Sequence, residues 1–229
     1  MSKILVVAAH PDDEVLGCGA TMAKAAKLGH EVHTLILGEG ETSRDEKRMR
    51  GKRSGELSRL AISAEKARNI LGARSLKLHN FPDNRMDSVD LLDIVKIVER
   101  HIALHNPDTV YTHHAGDLNV DHRMVSAAVL TACRPVPGQP VTTLLFFEVL
   151  SSTEWQASGC SSSFSPNWFV EVSDSLPLKI QALKEYSSEM RPFPHPRSYE
   201  AVEHLARLRG ASVGVPAAEA FILARSLCR

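Results

Sequence analysis

The apolar positions divide the chain into alternating strands and helices. The run Ile4 to Ala9 is continuously apolar and rich in β-branched residues, as in a strand buried on both faces of a parallel sheet. Apolar residues at helical spacing follow from Val15 to Leu28, and Gly29 ends that helix. Val32 to Leu37 is a second buried strand. Residues 3–37 therefore predict a strand-helix-strand unit with a right-handed parallel crossover.

The same alternation continues along the chain. Further strands are predicted from Leu76 to Leu78, Thr109 to Thr112, Leu144 to Val149 and Trp168 to Val172. Helices are predicted from Ser54 to Leu71, Val89 to His105, Met124 to Cys133 and Leu178 to Ser187, and the last helix from about Tyr199 to Arg209. This order, without an internal repeat, is typical of one three-layer α/β domain with a mostly parallel sheet, which we expect to span residues 1–229.

Two polar segments interrupt the pattern. Segment 38–56 is dense in charge from Glu39 to Arg53, which indicates either a mobile flap or a solvated helix start. Segment 151–167 is rich in serine and is expected to be a loop. We expect both segments to shape a binding pocket, although residue type alone does not reveal its specificity.

Composition and charge narrow the class of protein. Of the 229 residues, 43% are apolar and 24% charged, close to globular averages, which argues against a disordered chain or a coiled coil. The 27 basic residues balance the 27 acidic ones, so no broad field favours nucleic acid or an anionic membrane surface. The longest apolar run, Ile4 to Ala9, is far shorter than the ~20 residues of a membrane span.

The N-terminus and the cysteines indicate a cytoplasmic protein. The first apolar run ends in the charged residues Asp12 to Glu14, which is unlike a signal peptide. No two cysteines have CxxC spacing, which favours reduced packing residues over disulfides or a sulfur metal site. These cysteines are Cys18, Cys133, Cys160 and Cys228. The sequence leaves a homo-oligomer open, since Leu144 to Phe147 suits a core or an interface.

Two clusters of metal-competent side chains directly follow predicted strands. One runs from His10 to Glu14 and the other from His113 to His122. In open parallel sheets, ligands bind beyond the carboxyl ends of the strands. Two histidines and one carboxylate from these clusters would form a catalytic zinc site whose fourth position is left for water. Iron(II) accepts similar ligands, so the metal is not fixed by residue type.

Two other interpretations compete for the first cluster. Gly17 and Gly19 suggest a dinucleotide-binding loop, but Met22 stands where the third glycine would be. The acidic residues also stand where a pyrophosphate would approach, so an NAD-dependent oxidoreductase is disfavoured. The plainer interpretation is an acidic helix start after a buried strand.

Three motifs of the chain resemble those of a known family. The segment Ala9 to Glu14, with the sequence AHPDDE, resembles the signature of the PIG-L/LmbE-like zinc-dependent N-deacetylases, which act on N-acetylglucosamine in glycolipids, thiol precursors and chitobiose. Asp121-His122 resembles the family's second metal-binding motif, and Pro194 to Ser198 its C-terminal histidine motif. The similarity extends over almost the whole chain. It implies a Rossmann-like sheet, a zinc ion at its carboxyl edge and a small-molecule amino-sugar substrate.

The resemblance also implies roles for single residues. His10, Asp13 and His122 would be the metal ligands. Asp12 would be the general base for the attacking water, and His195 would stabilise the oxyanion. Candidate substrate contacts are Arg59, with Arg53 as a competitor, Asp83, Asn119, and Arg197, which holds an anionic part of the substrate or pairs with a surface carboxylate.

One position departs from the family pattern. Several members have a histidine where this chain has Asn119, three positions before the last ligand. Asparagine does not shuttle protons at neutral pH, so Asn119 is expected to hydrogen-bond the substrate, or His113 or His114 to fill the space. Each of these two histidines, taken singly, is better explained as structural. Glu14 is expected to fix the loop rather than to bind metal.

The leading hypothesis is a metal-dependent hydrolase that removes the acetyl group of an N-acetylglucosamine-type amino sugar, free or conjugated to a nucleotide, lipid or thiol precursor. The alternative is a non-catalytic sugar- or metabolite-binding protein with a structural metal. Asp12 discriminates between them, because a structural site fills its fourth position with protein and needs no base beside the metal.

Overall fold

The first predicted strand lies near the middle of a sheet that is covered on both faces. In the computed structural model, which describes residues 1–228, this strand is β1 (Lys3–Ala8). Ile4 and Val6 pack into the core on one face, and Leu5 and Val7 into the core on the other. Successive side chains of a strand point to opposite faces, so a strand between two layers of helices needs an uninterrupted apolar run.

Seven strands form the sheet in the order β3-β2-β1-β4-β5-β7-β6. The other strands are β2 (Glu31–Gly38), β3 (Ser75–Phe81), β4 (Thr109–His113), β5 (Thr143–Phe147), β6 (Trp168–Glu171) and β7 (Ala218–Ser226). The first five strands pair in parallel, whereas β7 is antiparallel to both β5 and β6. The predicted α/β class with a mostly parallel sheet is confirmed.

Six helices complete the three layers. They are α1 (Asp13–Lys27), α2 (Ser54–Leu71), α3 (Leu91–His105), α4 (Val120–Ala132), α5 (Leu176–Glu185) and α6 (Tyr199–Ala211). Helices α1, α2 and α5 share one core with the sheet, and α3 and α4 share the other. Helix α6 packs near β6 and β7. Within residues 1–228, none of these helices has the length and apolar character needed to cross a membrane.

The strand order creates a crevice beside β1. Strands β2 and β4 flank β1 on opposite sides, so the chain leaves the ends of β1 and β4 in different directions. Such a switch point is where open α/β sheets bind their ligands. The clusters that begin at His10 and His113 follow the carboxyl ends of these two strands.

Helix α4 begins earlier than its apolar pattern indicates. It starts at Val120 rather than at the predicted Met124, because the side chain of Asn119 caps it. The Asn119 Oδ1 atom accepts the backbone N–H of Asp121 at 2.8 Å, a common N-cap interaction. As a result Asp121 and His122 lie in the first turn of a helix rather than in a loop.

The last helix lies where it was predicted, at Tyr199–Ala211, but the strand that follows it was not predicted. Strand β7 follows and inserts between β5 and β6. Its apolar pattern is broken by Glu219, a charged residue with only 5% of its surface exposed. A carboxylate inside a sheet is unusual, since burial of an unpaired charge is costly.

The buried Glu219 accepts hydrogen bonds from backbone N–H groups at a kink in helix α1. The backbone of Cys18 is non-helical, with φ −149° and ψ 22°. Glu219 accepts the N–H groups of Ala20 at 3.1 Å and Thr21 at 2.7 Å. Lys179 pairs with Glu219 at 2.7 Å and donates to the carbonyl of Leu16 at 2.7 Å. One ion pair from α5 and β7 thus satisfies the backbone groups that the kink leaves without helical partners.

The two polar segments have different structures. Segment 38–56 contains a short 3-10 turn, Thr42–Arg44, and otherwise remains irregular up to the start of α2. Two salt bridges stabilise it, in which Arg48 and Arg50 both pair with the buried Glu39, at 2.7 and 2.6 Å. Segment 151–167 is mainly loop, as expected.

We expect Glu219→Ala to destabilise the fold by about 3–5 kcal/mol, because it leaves the buried Lys179 without its counter-charge and two backbone amides without acceptors. The measurement is the free energy of unfolding from urea denaturation. Glu171→Ala is the matched control, since Glu171 pairs with Lys24 of the same helix but both side chains are well exposed. That change should lower stability by less than about 1 kcal/mol. Equal losses in the two variants would contradict the role given to Glu219.

Candidate metal centre

The turn between β1 and α1 holds Asp12 in a strained backbone conformation. Its φ of 112° is one that residues with a side chain rarely adopt. Glu14 stabilises the turn by accepting the N–H of Asp12 at 3.0 Å, and the hydroxyl of Tyr186 donates to Glu14 at 2.7 Å. The turn directs two consecutive carboxylates to different partners, Asp12 to an arginine and Asp13 to imidazoles.

His10, Asp13 and His122 form a compact group at the crevice. One potential ligand atom from each lies within 4.8 Å of the others, and all three residues are buried. The Asp13 Oδ2 atom is 3.3 Å from His10 Nδ1 and 3.2 Å from His122 Nε2. The turn after β1 and the first turns of α1 and α4 therefore bring together the three residues that the sequence motifs single out.

A further carboxylate lies behind each histidine. Asp121 Oδ2 is 2.9 Å from His10 Nε2, and Asp117 Oδ1 is 3.1 Å from His122 Nδ1. A carboxylate at the distal nitrogen keeps a proton there and leaves the lone pair on the other nitrogen. In both imidazoles that other nitrogen faces Asp13.

Neighbouring groups fix these two outer carboxylates. Asp121 accepts the backbone N–H groups of Asn84 at 2.6 Å and Met86 at 2.9 Å. Asp117 accepts hydroxyl hydrogen bonds from Ser152 and Thr153, the latter at 2.6 Å. Segment 151–167 thus contacts the support of His122 directly.

His113 has a structural position beside the group. Its ring stacks on His122 with a centroid distance of 3.9 Å, and its Nε2 accepts the N–H of Ala9 at 2.8 Å. The edge of Phe147 packs on the same ring at 4.7 Å. Gly17 allows α1 to approach the Phe147 ring closely, since a Cβ atom at position 17 would lie only 2.3 Å from that ring.

The charges of the group determine its titration. Burial lowers the pKa of His122, but Asp13 and Asp117 outweigh this effect and raise it to about 9. Burial also lowers the pKa of His10, and hydrogen bonds to Asp121 and Asp13 raise it well above its usual value. Burial raises the pKa of Asp13, yet the two imidazoles hold it well below its usual range. Without a metal ion, these pKa shifts therefore favour an ionised Asp13 between protonated His10 and His122.

The donor set fits a divalent transition metal. Asp13 Oδ1 and His122 Nε2 are buried, and neither has a hydrogen-bond partner among residues 1–228. Buried polar atoms of native proteins are normally satisfied, and unsatisfied ones in a cluster suggest a missing ion. Two imidazole nitrogens and one carboxylate are also the ligands of many catalytic zinc sites.

Asp12 pairs with Arg197 instead of facing the histidines. Arg197 Nη1 donates to Asp12 Oδ2 at 2.8 Å, and Nε donates to the hydroxyl of Ser151 at 2.7 Å. Burial raises the pKa of the Asp12 carboxyl well above its usual value, and Arg197 opposes that shift. Of the two interpretations for Arg197, pairing with a surface carboxylate is wrong, because its partner is only 1% exposed.

His195 lies two positions before this arginine, in a half-buried turn. Its Nδ1 accepts the backbone N–H of Arg197 at 3.0 Å, so a neutral His195 carries its proton on Nε2. Its ring packs edge-on against Trp155 of segment 151–167, at 5.9 Å.

Two candidate substrate contacts, Asp83 and Asn119, form hydrogen bonds with other residues of the protein. Asp83 is 3% exposed and accepts the hydroxyl of Ser43 at 2.7 Å, while its other oxygen is 3.3 Å from His10 Nε2. Asn119 caps α4 and donates to Asn84 Oδ1 at 2.9 Å. Their roles toward a substrate stay predictions.

The arginines proposed from α2 do not join the group. The Arg59 side chain is 73% exposed and lies 3.9 Å from Glu56, beside a separate cavity lined by Glu41 and Ser63. The competitor Arg53 is bound to Asp45 by two hydrogen bonds of 2.8 Å.

Comparison with known families decides which one this chain matches. The family model PIG-L, described as GlcNAc-PI de-N-acetylase, matches residues 5–133, which include His10 to Glu14 and Asp121-His122. The chain belongs to the PIG-L family. The resemblance inferred from the motifs is therefore confirmed.

Relatives of this PIG-L member are deacetylases. An uncharacterized deacetylase, YaiS of Escherichia coli (strain K12), is 31% identical over 191 residues, covering 81% of this chain and 90% of YaiS. The diacetylchitobiose deacetylase of Thermococcus kodakarensis is 24% identical over 196 residues, covering 82% of this chain and 70% of that protein. Membership in this family supports an amide hydrolase.

The fold itself serves more than one reaction. The crystal structure of GalB, the 4-carboxy-2-hydroxymuconate hydratase of Pseudomonas putida KT2440, aligns with a TM-score of 0.79 at 19% identity, covering 100% of this chain and 98% of GalB. This similarity concerns the fold alone, and the reaction has to be argued from the site.

Several residues of the site were missed by sequence reasoning. Asp117 lies within the second cluster, but nothing in its spacing distinguishes it from a loop residue. Ser152, Thr153 and Tyr186 lie far from both motifs in sequence and have no local signal. The pairing of Arg197 with Asp12 joins residues 185 positions apart, which only the fold brings together.

We expect Arg197→Ala to destabilise the protein by about 2–4 kcal/mol, because it leaves the buried Asp12 without its counter-charge. Arg191→Ala is the control from the same segment, since Arg191 hydrogen-bonds only nearby carbonyl groups and should change stability by less than about 1 kcal/mol. Urea denaturation above pH 7 measures both. A loss no larger than that of the control would show that the pair contributes little.

Proposed function

We propose that the protein is a metal-dependent N-deacetylase that hydrolyses the acetamide of an N-acetylglucosamine-type amino sugar. The observation that carries the proposal is the convergence of His10, Asp13 and His122, with Asp12 in the same turn. We propose these three residues as the metal ligands and Asp12 as the general base. Family membership and the diacetylchitobiose deacetylase activity of a relative support the substrate class.

A bound zinc ion would supply a Lewis acid and lower the pKa of a water molecule at the site. Asp12 then accepts the proton of the attacking water, and it donates this proton to the departing sugar amine. Burial favours such a role because it raises the pKa of the carboxyl and thereby strengthens it as a base. Arg197 engages Oδ2 and keeps the carboxylate in one orientation.

His195 is the candidate for stabilising the oxyanion. With Nδ1 occupied by the N–H of Arg197, its Nε2 carries the hydrogen that a developing negative charge requires. The backbone bond fixes the ring before the substrate arrives, so little reorganisation is needed during the reaction. Substrate roles for Asp83, whose Oδ1 atom lies 3.3 Å from His10 Nε2, and for Asn119 belong to the proposal. Arg59, which lies beside a separate cavity, is the weakest of the three candidates.

A binding protein with a structural metal is the second candidate, and the geometry supports it less. A structural site needs a fourth protein ligand. His113 is one candidate for this role, since its Nε2 lies 3.7 Å from Asp13 Oδ2. That nitrogen already accepts the N–H of Ala9, so it has no lone pair left for a metal.

We expect Asp12→Asn to lower the rate of acetate release at least ~100-fold, because an amide cannot accept the proton of the attacking water. The assay follows acetate from N-acetylglucosamine, diacetylchitobiose and nucleotide-linked N-acetylglucosamine, with zinc or iron(II) restored to chelated protein. Asp87→Asn, which changes an exposed carboxylate, should keep the rate of the unmodified protein.

Metal content measured by elemental analysis separates the candidates. An Asp12→Asn variant with unchanged metal content and full activity would remove Asp12 from the mechanism. A protein that binds metal and sugar but releases no acetate from any substrate of the panel would favour the binding protein.

We expect Asp117→Asn to weaken zinc affinity about 10–100-fold, because the carboxylate behind His122 fixes the orientation of that ligand. Competition with a chromophoric chelator gives the dissociation constant. Asp93→Asn on the exposed face of α3 is the control and should leave the affinity unchanged. Equal affinities for the two variants would mean that His122 is not a ligand or does not depend on Asp117.

A further inference from the structure

A row of four histidines lies between α3 and the edge of the sheet, on elements that do not contribute to the candidate metal centre. His33 belongs to β2, His79 to the edge strand β3, and His101 and His105 to α3. Successive ring centroids along the row are 3.9 Å apart for His33 and His105, 5.7 Å for His105 and His101, and 5.9 Å for His101 and His79.

The spacing within α3 is suited to chelation. His101 and His105 are four positions apart, so they project from the same helix face. Neutral imidazole is the commonest protein ligand for divalent transition metals. His79 of β3 lies beside His101, with ring centroids 5.9 Å apart, and its Nε2 atom is buried without a hydrogen-bond partner among residues 1–228. An unsatisfied buried nitrogen beside two more imidazoles is an observation that points to a ligand.

The surroundings keep the row neutral at physiological pH. Burial lowers the pKa of His79, and it lowers that of His101 to about 4, with Lys77 and Arg100 adding to both shifts. The pKa of His105 is also lowered by burial, by His33 and by Lys3, against a small opposing effect of Glu31. The nitrogens thus offer lone pairs without first losing a proton. Lys77 and Arg100 are exposed, so their charges can turn toward water when a cation enters.

We propose that His79, His101 and His105 form a second metal site, which takes a divalent transition-metal ion such as Zn²⁺ and leaves its fourth position to water. The ligand atoms of these three residues do not all lie within 4.8 Å of one another among residues 1–228, so holding one ion at about 2.0–2.1 Å from each nitrogen requires rotation of side-chain torsions. The half-buried positions of the three rings leave room for that rotation.

His33 has a supporting role in this site. Its Nδ1 lies 2.7 Å from the Ser75 hydroxyl, and its ring stacks on His105 at an angle of 19°. Stacked rings present their nitrogens side by side rather than toward a common point, so His33 orients His105 and is not itself a ligand. An ion on the other three would join α3 to the edge strand β3 and stabilise that edge of the sheet.

Calorimetric titration of chelated full-length protein with Zn²⁺ tests the proposal. We expect His101→Gln to bind one equivalent fewer than the unmodified protein, whatever the total. His204→Gln, which changes an exposed histidine of α6, should keep the full number. Circular dichroism of each variant checks that it is folded. An unchanged stoichiometry in His101→Gln would overturn the proposal.

A second measurement separates this site from the proposed catalytic metal. In a His122→Ala background, Zn²⁺ should still raise the Tm, and adding His101→Gln should abolish that rise. If the catalytic assignment fails, His122→Ala changes nothing while His101→Gln still removes one equivalent. If His122→Ala alone abolishes all Zn²⁺ binding and the rise in Tm, the second site does not exist.

Discussion

A carboxylate without exposed surface needs its counter-charges where it lies, and the centre of this protein is arranged around that requirement for Asp13. Asp121, His10, Asp13, His122 and Asp117 form an alternating row of carboxylates and imidazoles in which every neighbouring pair is within 3.3 Å. The protonation state of each member is therefore set by the next. Exchanging the Asp13-facing protons of the two histidines for one divalent cation would preserve this alternation.

The turn that delivers Asp13 is stabilised from distant parts of the chain. Asp12 adopts a strained φ, and Glu14 with Tyr186 of the segment after α5 holds its backbone. A few residues later the helix is kinked, and Lys179 with Glu219 satisfies the backbone groups at that kink. Strain of order 1–3 kcal/mol at a single residue persists only where the surroundings determine the conformation. Helix α5 and strand β7 supply those surroundings, so the C-terminal part of the fold supports a site built near the N-terminus.

Much of the fold could be predicted because the parallel strands are buried on both faces and read as uninterrupted apolar runs. Helix α2 matches its prediction from Ser54 to Leu71, since its apolar spacing ends at Gly72, which adopts a left-handed cap. Strand β7 could not be found in this way, because Glu219 interrupts it for a reason that lies in α1. The three candidate ligands were accessible from local motifs. Their supports were not, since Asp117, Ser152 and Tyr186 act through contacts between segments far apart in sequence.

Both polar segments form hydrogen bonds with residues that surround the candidate metal centre. Segment 38–56 reaches the row through Ser43, which hydrogen-bonds Asp83 beside His10. Segment 151–167 reaches it through Ser152 on Asp117 and, by Ser151 and Arg197, through Asp12. The β1–β4 crevice is a property of the fold, shared with a hydratase as well as with deacetylases, and by itself selects no reaction. We expect a change in either segment to alter the orientation of the ionic row as well as the proposed pocket, because Ser43, Ser151 and Ser152 are hydrogen-bonded to residues that contact His10, Asp12 and His122.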